Sequence, residues 1–174
     1  RGLGDVYKRQ IQKTVAGTGK KLTLELGGKS ANIIFEDAAI DQAVEGIINA
    51  IFFNQGHVCC AGSRLLVQES IEKIVLKKLK VRMKTLRVGN PLDKNTDIGA
   101  INSKAQLKKI QSYLQVGIKQ GAQMHQSGCT LPKKGFWCEP TLFSEVAQSH
   151  RIVSEEIFGP VLTVQTFRTP EEAI

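Results

Sequence analysis

A cysteine and two glutamates, each in a short glycine-bearing frame, carry the chemistry that can be read from this chain. Glu25 stands in LTLELGGKS, Cys59 in FFNQGHVCCAGSR, and Glu156 in SEEIFGP. A free thiol with a pKa near about 8.5 is only a few per cent thiolate at neutrality, yet that fraction is a strong nucleophile for a carbonyl carbon. A carboxylate held nearby can take a proton from water. Thiol addition followed by hydrolysis is thus the chemistry these residue types point to.

The elements that must position these groups follow from periodicity. Leu22, Leu24 and Leu26 alternate with Thr23 and Glu25, which predicts a strand over 22–26 that Gly27-Gly28 breaks. Val44, Ile47, Ile48, Ile51 and Phe52 recur at helical spacing and predict a helix over 41–53, running out at Asn54-Gln55-Gly56. Cys59 is then expected on a loop between that helix and a strand beginning at Arg64. Ser103 predicts the cap of a helix over 104–120 with Leu107, Ile110 and Leu114 on one face, stopped by Gly121. Short strands are expected near 122–125 and over 161–167, and Thr169-Pro170-Glu171-Glu172 reads as a helix start. Strands alternating with helices imply an α/β fold with a largely parallel sheet and flanking helices.

The three frames, in this order, resemble those of the aldehyde dehydrogenase superfamily, from about residue 11 to the C-terminus. The resemblance implies that the chain is a catalytic-domain slice of that fold, with Cys59 as nucleophile and Glu25 as general base. It implies further that Glu156 holds the nicotinamide ribose of NAD or NADP, with Phe158 flanking the nicotinamide and Leu26 and Gly27 near its ring. The substrate would be a small-molecule aldehyde, oxidised to a carboxylic acid through a thiohemiacetal and a thioester on Cys59. The oxyanion would be held by the Cys59 backbone N–H and by an asparagine amide that has no counterpart in this sequence. Glu139-Pro140-Thr141-Leu142-Phe143 resembles the family's extended segment, and Asp97-Ile98-Gly99-Ala100 its loop ahead of the next helix. His57 departs from the glutamine that the family most often has there, and is expected to act as a neutral hydrogen-bonding substitute. Lys29 fits the signature, with a loop-fixing role.

On this comparison the chain is expected to be a central fragment of a homo-oligomeric parent and to be inactive alone. Residues 1–10, RGLGDVYKRQ, are expected to be a non-native leader, 11–26 the end of a dinucleotide-binding domain, and 27–174 a truncated catalytic domain. Two other readings stay open: a thiol esterase or acyl-transfer enzyme, which needs Cys59 but no dinucleotide, and a non-catalytic structural relative. The presence of Glu25 favours hydrolytic release over transfer to a thiol.

Composition fits a globular piece, with 41% hydrophobic and 23% charged residues. No run approaches the roughly 18 apolar residues of a membrane span, no signal peptide is visible, and a cytoplasmic location is expected. The net charge is +8, of which Arg1, Lys8 and Arg9 against Asp5 give +2. Much of the rest lies in Lys73, Lys77, Lys78, Lys80, Arg82, Lys84 and Arg87, interleaved with apolar residues as on a solvated helix face. Aromatics are sparse, and no nucleic-acid partner is expected. Gly17-Thr18-Gly19-Lys20-Lys21 fails as a phosphate loop, because residue 14 is Thr and residue 21 is Lys. The four cysteines, 59, 60, 129 and 138, form no CxxC pair, so neither a metal site nor a disulfide framework is expected. Cys60 is expected to be a small packing residue.

Overall fold

The computed structural model describes residues 3–174, with the side chains of 3–5 left aside. Helix α1 (Leu3–Val15) leads into an extended stretch that carries the LELGG frame. After it come β1 (Ala31–Ile34), α2 (Ile40–Phe52), β2 (Arg64–Gln68) and α3 (Glu72–Met83). The second half holds α4 (Lys104–Lys119), β3 (Gln123–Gln126), β4 (Thr141–Ser144), α5 (Arg151–Ser154), β5 (Val161–Phe167) and α6 (Pro170–Ala173).

The five strands form one sheet in the order β1-β2-β5-β4-β3, parallel throughout except for the antiparallel β3–β4 pair. Arg64 pairs with Ala31 on one side and Thr163 on the other, so β2 lies between the first and last strands of the chain. Alternate residues of the strands feed two cores. Leu142, Leu162 and Val164 pack with Leu65 and Val67 under α2 and α3, while Phe143 and Val161 face Ile110, Leu114 and Ile152 of α4 and α5.

Helix α2 buries the five residues that its spacing singles out, Val44, Ile47, Ile48, Ile51 and Phe52. At the start of α4, the Ser103 hydroxyl accepts the Gln106 N–H at 3.1 Å, satisfying one of the free donors of the first turn. Along α3, Val75, Leu79 and Met83 are buried while Lys73 and Lys77 are exposed; Lys78 and Arg82 pair with Asp41 and Glu45 of α2. This basic stretch is the polar side of an ordinary packed helix.

The strand expected over 22–26 is a correction. Residues 19–30 have no ladder partner among the described residues, and the first strand begins at Ala31, downstream of the double glycine. The Leu-Thr-Leu-Glu-Leu alternation is real, but Leu22 is 41% exposed and meets no sheet face. Strand β1 and the single-turn helix α5 were not expected: Ala31-Asn32-Ile33-Ile34 is too short for its alternation to stand out, and α5 has only four residues. Among the described residues no helix is long and apolar enough to cross a membrane.

Candidate active site

Helix α2 does not run smoothly into the thiol loop. Asn54 (φ 50°) and Gln55 (φ 58°) both take the left-handed conformation, and Gly56 follows at φ 71°. Asn tolerates that region and Gln does so at a strain of about 1–3 kcal/mol, here held by side-chain bonds. Gln55 Oε1 accepts the Gly99 N–H at 3.0 Å, and Asn54 Nδ2 donates to the His57 carbonyl at 3.2 Å. The reversal turns the chain so that Cys59 lies exposed at the surface. Cys60 is exposed as well, which corrects the expectation that it packs inside.

The three frames meet through close approaches at glycines, two of them to backbone oxygens. A Cβ on Gly28 would sit 2.6 Å from the Cys59 carbonyl oxygen, one on Gly27 would sit 2.3 Å from Glu156 Oε2, and one on Gly56 would sit 2.2 Å from the Gly159 oxygen. The Gly28 N–H donates to Glu156 Oε1 at 3.1 Å, tying LELGG to SEEIFGP across 128 residues. A cavity of about 10 Å³, on the scale of one water molecule, remains among Gly28, Gly56, Val58, Ala61, Glu156 and Phe158.

Of the residues singled out from the sequence, Gly27, Cys59, Glu156 and Phe158 belong to this junction. Leu26 is half-buried beside it. Glu25 lies three residues before Gly28, hence within about 11 Å of it along the chain. Its side chain is exposed, and its backbone carbonyl accepts from Lys8 Nζ at 2.5 Å. Phe158 has φ 59°, a strained conformation for an aromatic residue. Gln106 of α4 secures it by donating to the carbonyls of Ile157 (3.0 Å) and Phe158 (2.8 Å). Nothing in the sequence marks Gln106 beyond its place in the first turn after the Ser103 cap.

His57 does not act through a hydrogen bond. Its ring stacks on Phe158 with centroids 5.2 Å apart and planes at 4°, and its buried Nε2 has no partner among the described residues. Burial lowers its pKa, favouring the neutral ring. Lys29 is half-buried, with its Nζ buried and without a partner among the described residues, and burial, helped by the Arg64 charge and opposed by Glu156, brings its pKa down to about 8. Among the described residues no group of three or more His, Cys, Asp or Glu side chains is placed to hold a metal ion.

A sequence model described as "Aldehyde dehydrogenase family" matches residues 4–174. The chain belongs to the aldehyde dehydrogenase family. The match includes most of the leading segment 1–10. An aldehyde dehydrogenase of Davidiella tassiana is 47% identical over 170 residues, covering 97% of this chain and 34% of that protein. A betaine aldehyde dehydrogenase of Bacillus subtilis (strain 168) is 43% identical over 171 residues, covering 95% and 35%. The crystal structure of betaine aldehyde dehydrogenase from Staphylococcus aureus in complex with NAD+ superposes with a TM-score of 0.89 at 40% identity, covering 98% of this chain and 34% of that one. The chain therefore spans about a third of the length of these family members, and its sheet is part of the aldehyde dehydrogenase fold.

Proposed function

We propose that this chain is the thiol-bearing third of an NAD(P)-dependent aldehyde dehydrogenase, which oxidises an aldehyde to a carboxylic acid. The single observation that carries the reading is the junction at which Gly28 abuts the Cys59 carbonyl while its N–H is held by Glu156. It draws the frame of the base, the frame of the nucleophile and the frame of the cofactor carboxylate to one place.

The residues present fit a dinucleotide. Glu156 uses one oxygen on Gly28 and retains acceptor capacity for a ribose hydroxyl. Phe158, fixed by Gln106 and His57, offers an aromatic face, with Leu26 and Gly27 alongside. The bound dinucleotide supplies the acceptor for the hydride lost from the aldehyde carbon. The S. aureus relative is in complex with NAD+, which favours NAD over NADP.

The chain's own groups do the rest. The Cys59 thiolate adds to the aldehyde carbon, and its backbone N–H donates to the oxyanion, a contact typically worth about 3–4 kcal/mol. Once the carbon has lost hydride, the acyl group is a thioester on Cys59. Glu25 then takes a proton from water as the water oxygen bonds to the thioester carbon, and the C–S bond breaks to release acid and thiol. The Glu25 side chain is exposed in this chain, and in this reading the walls of its pocket come from parts of the parent beyond this third. The 174-residue chain alone is accordingly inactive. The parent is a homo-oligomer, and four free thiols fit a reducing compartment such as the cytoplasm.

The test is aldehyde-dependent NADH formation by the full-length parent. Cys59→Ala abolishes it and Cys60→Ala retains it. The opposite pattern moves the nucleophile by one residue, and turnover by the isolated 174 residues removes the reading of this chain as an incomplete site.

A further inference from the structure

The first glutamate of SEEIFGP has no part in the reaction set out above, yet its carboxylate is gripped from two helices. Glu155 Oε2 accepts the Tyr113 hydroxyl of α4 at 2.6 Å. The guanidinium of Arg151, in α5, forks onto both oxygens, Nε to Oε1 at 2.8 Å and Nη2 to Oε2 at 3.0 Å. The same guanidinium lies over the Tyr113 ring, 5.6 Å from its centroid. Arg151 and then Tyr113 hold the Glu155 carboxyl down to about 2, so it is ionised at neutral pH and accepts from both. Its backbone is fixed as well: the Glu155 N–H donates to the Arg151 carbonyl at 2.8 Å, and the Arg151 N–H to Gln120 Oε1 at 3.0 Å.

Glu155 has extended backbone, φ −102° and ψ 142°, which sends consecutive side chains to opposite sides. Glu155 reaches back to Tyr113, and Glu156 reaches forward to the Gly28 N–H. On the far side of Glu156, Gln106 holds the carbonyls of Ile157 and Phe158. Gln106 and Tyr113 stand seven residues apart, two turns and about 10 Å along one face of α4. That helix therefore grips the segment both before and after Glu156. Of the two partners of Glu155, Arg151 is an exposed i,i+4 neighbour, and such a pair holds little by itself. Tyr113 is 8% exposed and fixed in the second core, which makes its hydroxyl the anchor. We propose that Tyr113, acting through Glu155, is a positioning residue for Glu156, setting its carboxylate on the Gly28 N–H in the orientation that receives the dinucleotide ribose. The second half of this inference rests on the cofactor role proposed for Glu156; the Gly28 contact does not.

The experiment uses the full-length parent and two readouts. The first, without dinucleotide, is hydrogen exchange at the Gly28 amide. Tyr113→Phe and Glu155→Ala should each speed it by about five- to tenfold, Arg151→Ala by less, with the Ile48 amide inside α2 unchanged. The second is the equilibrium Kd for NAD. Tyr113→Phe should raise it by about five- to tenfold and Glu156→Ala by at least as much, while Tyr113→Phe added to Glu156→Ala should raise it no further, because the tyrosine acts through that glutamate. Unchanged exchange at Gly28, or equal acceleration at Gly28 and Ile48, would overturn the positioning role, the latter by showing a general loss of stability. Full additivity of the two substitutions in the Kd would overturn it too. Faster Gly28 exchange together with a Kd indifferent to Glu156→Ala would overturn Glu156 as the ribose ligand while its positioning on Gly28 stands.

Discussion

Gly56 combines two constraints that a methyl group cannot meet: a left-handed φ of 71° and an approach that would put a Cβ 2.2 Å from the Gly159 oxygen. Gly56→Ala must move either the thiol loop or the IFGP turn, and it is expected to destabilise the chain by about 2–4 kcal/mol in urea unfolding. Lys29 adds a pH dependence. The unfolded lysine keeps its proton up to its ordinary 10.5 and the folded one only up to about 8, so between those values the unfolded state binds more protons and stability rises with pH. Lys29→Met removes the buried charge. Its stability relative to the unsubstituted chain should be greatest at or below pH 8, and that margin should shrink by about 3 kcal/mol by pH 10.5. A margin that stays constant over this range would show that Lys29 is not the group held down by burial.

At the scale of elements, periodicity succeeded where one face of a segment meets a core. Helix α2 buries the very residues that its spacing marked, and α4 begins at its Ser103 cap. Ser103→Ala should cost about 1 kcal/mol by denaturant unfolding, because the Gln106 N–H loses its acceptor while the helix interior is untouched. The same variant should loosen Phe158, since Gln106 clamps that residue from the turn which Ser103 fixes. Periodicity failed at 22–26, where alternation alone cannot supply a neighbouring strand, and hydrogen bonding in a sheet needs one. The left-handed run at Asn54-Gln55-Gly56 was legible only as the end of a helix. Its geometry depends on Gly99 and Gly159, which no local pattern connects to it.

For the whole molecule, the family and its fold were legible because three frames stand in order in one chain. The way they meet was not legible, since the Gly28–Glu156 hydrogen bond joins residues 128 apart. The Gln106 clamp and the His57–Phe158 stack likewise arise only when α4 and the thiol loop fold against the IFGP turn. In the proposed mechanism Glu25 on the LELGG frame and Cys59 on the facing loop divide the labour of base and nucleophile. Removing the base alone should therefore stop the reaction after the acyl group has formed. The measurement is the pre-steady-state NADH burst of the full-length parent carrying Glu25→Gln, with mass analysis of the stalled enzyme. The account predicts a burst of about one equivalent, an acyl group on Cys59, and steady turnover lowered by about 10² to 10⁴. Unchanged turnover, or an acyl group on Cys60, would contradict it.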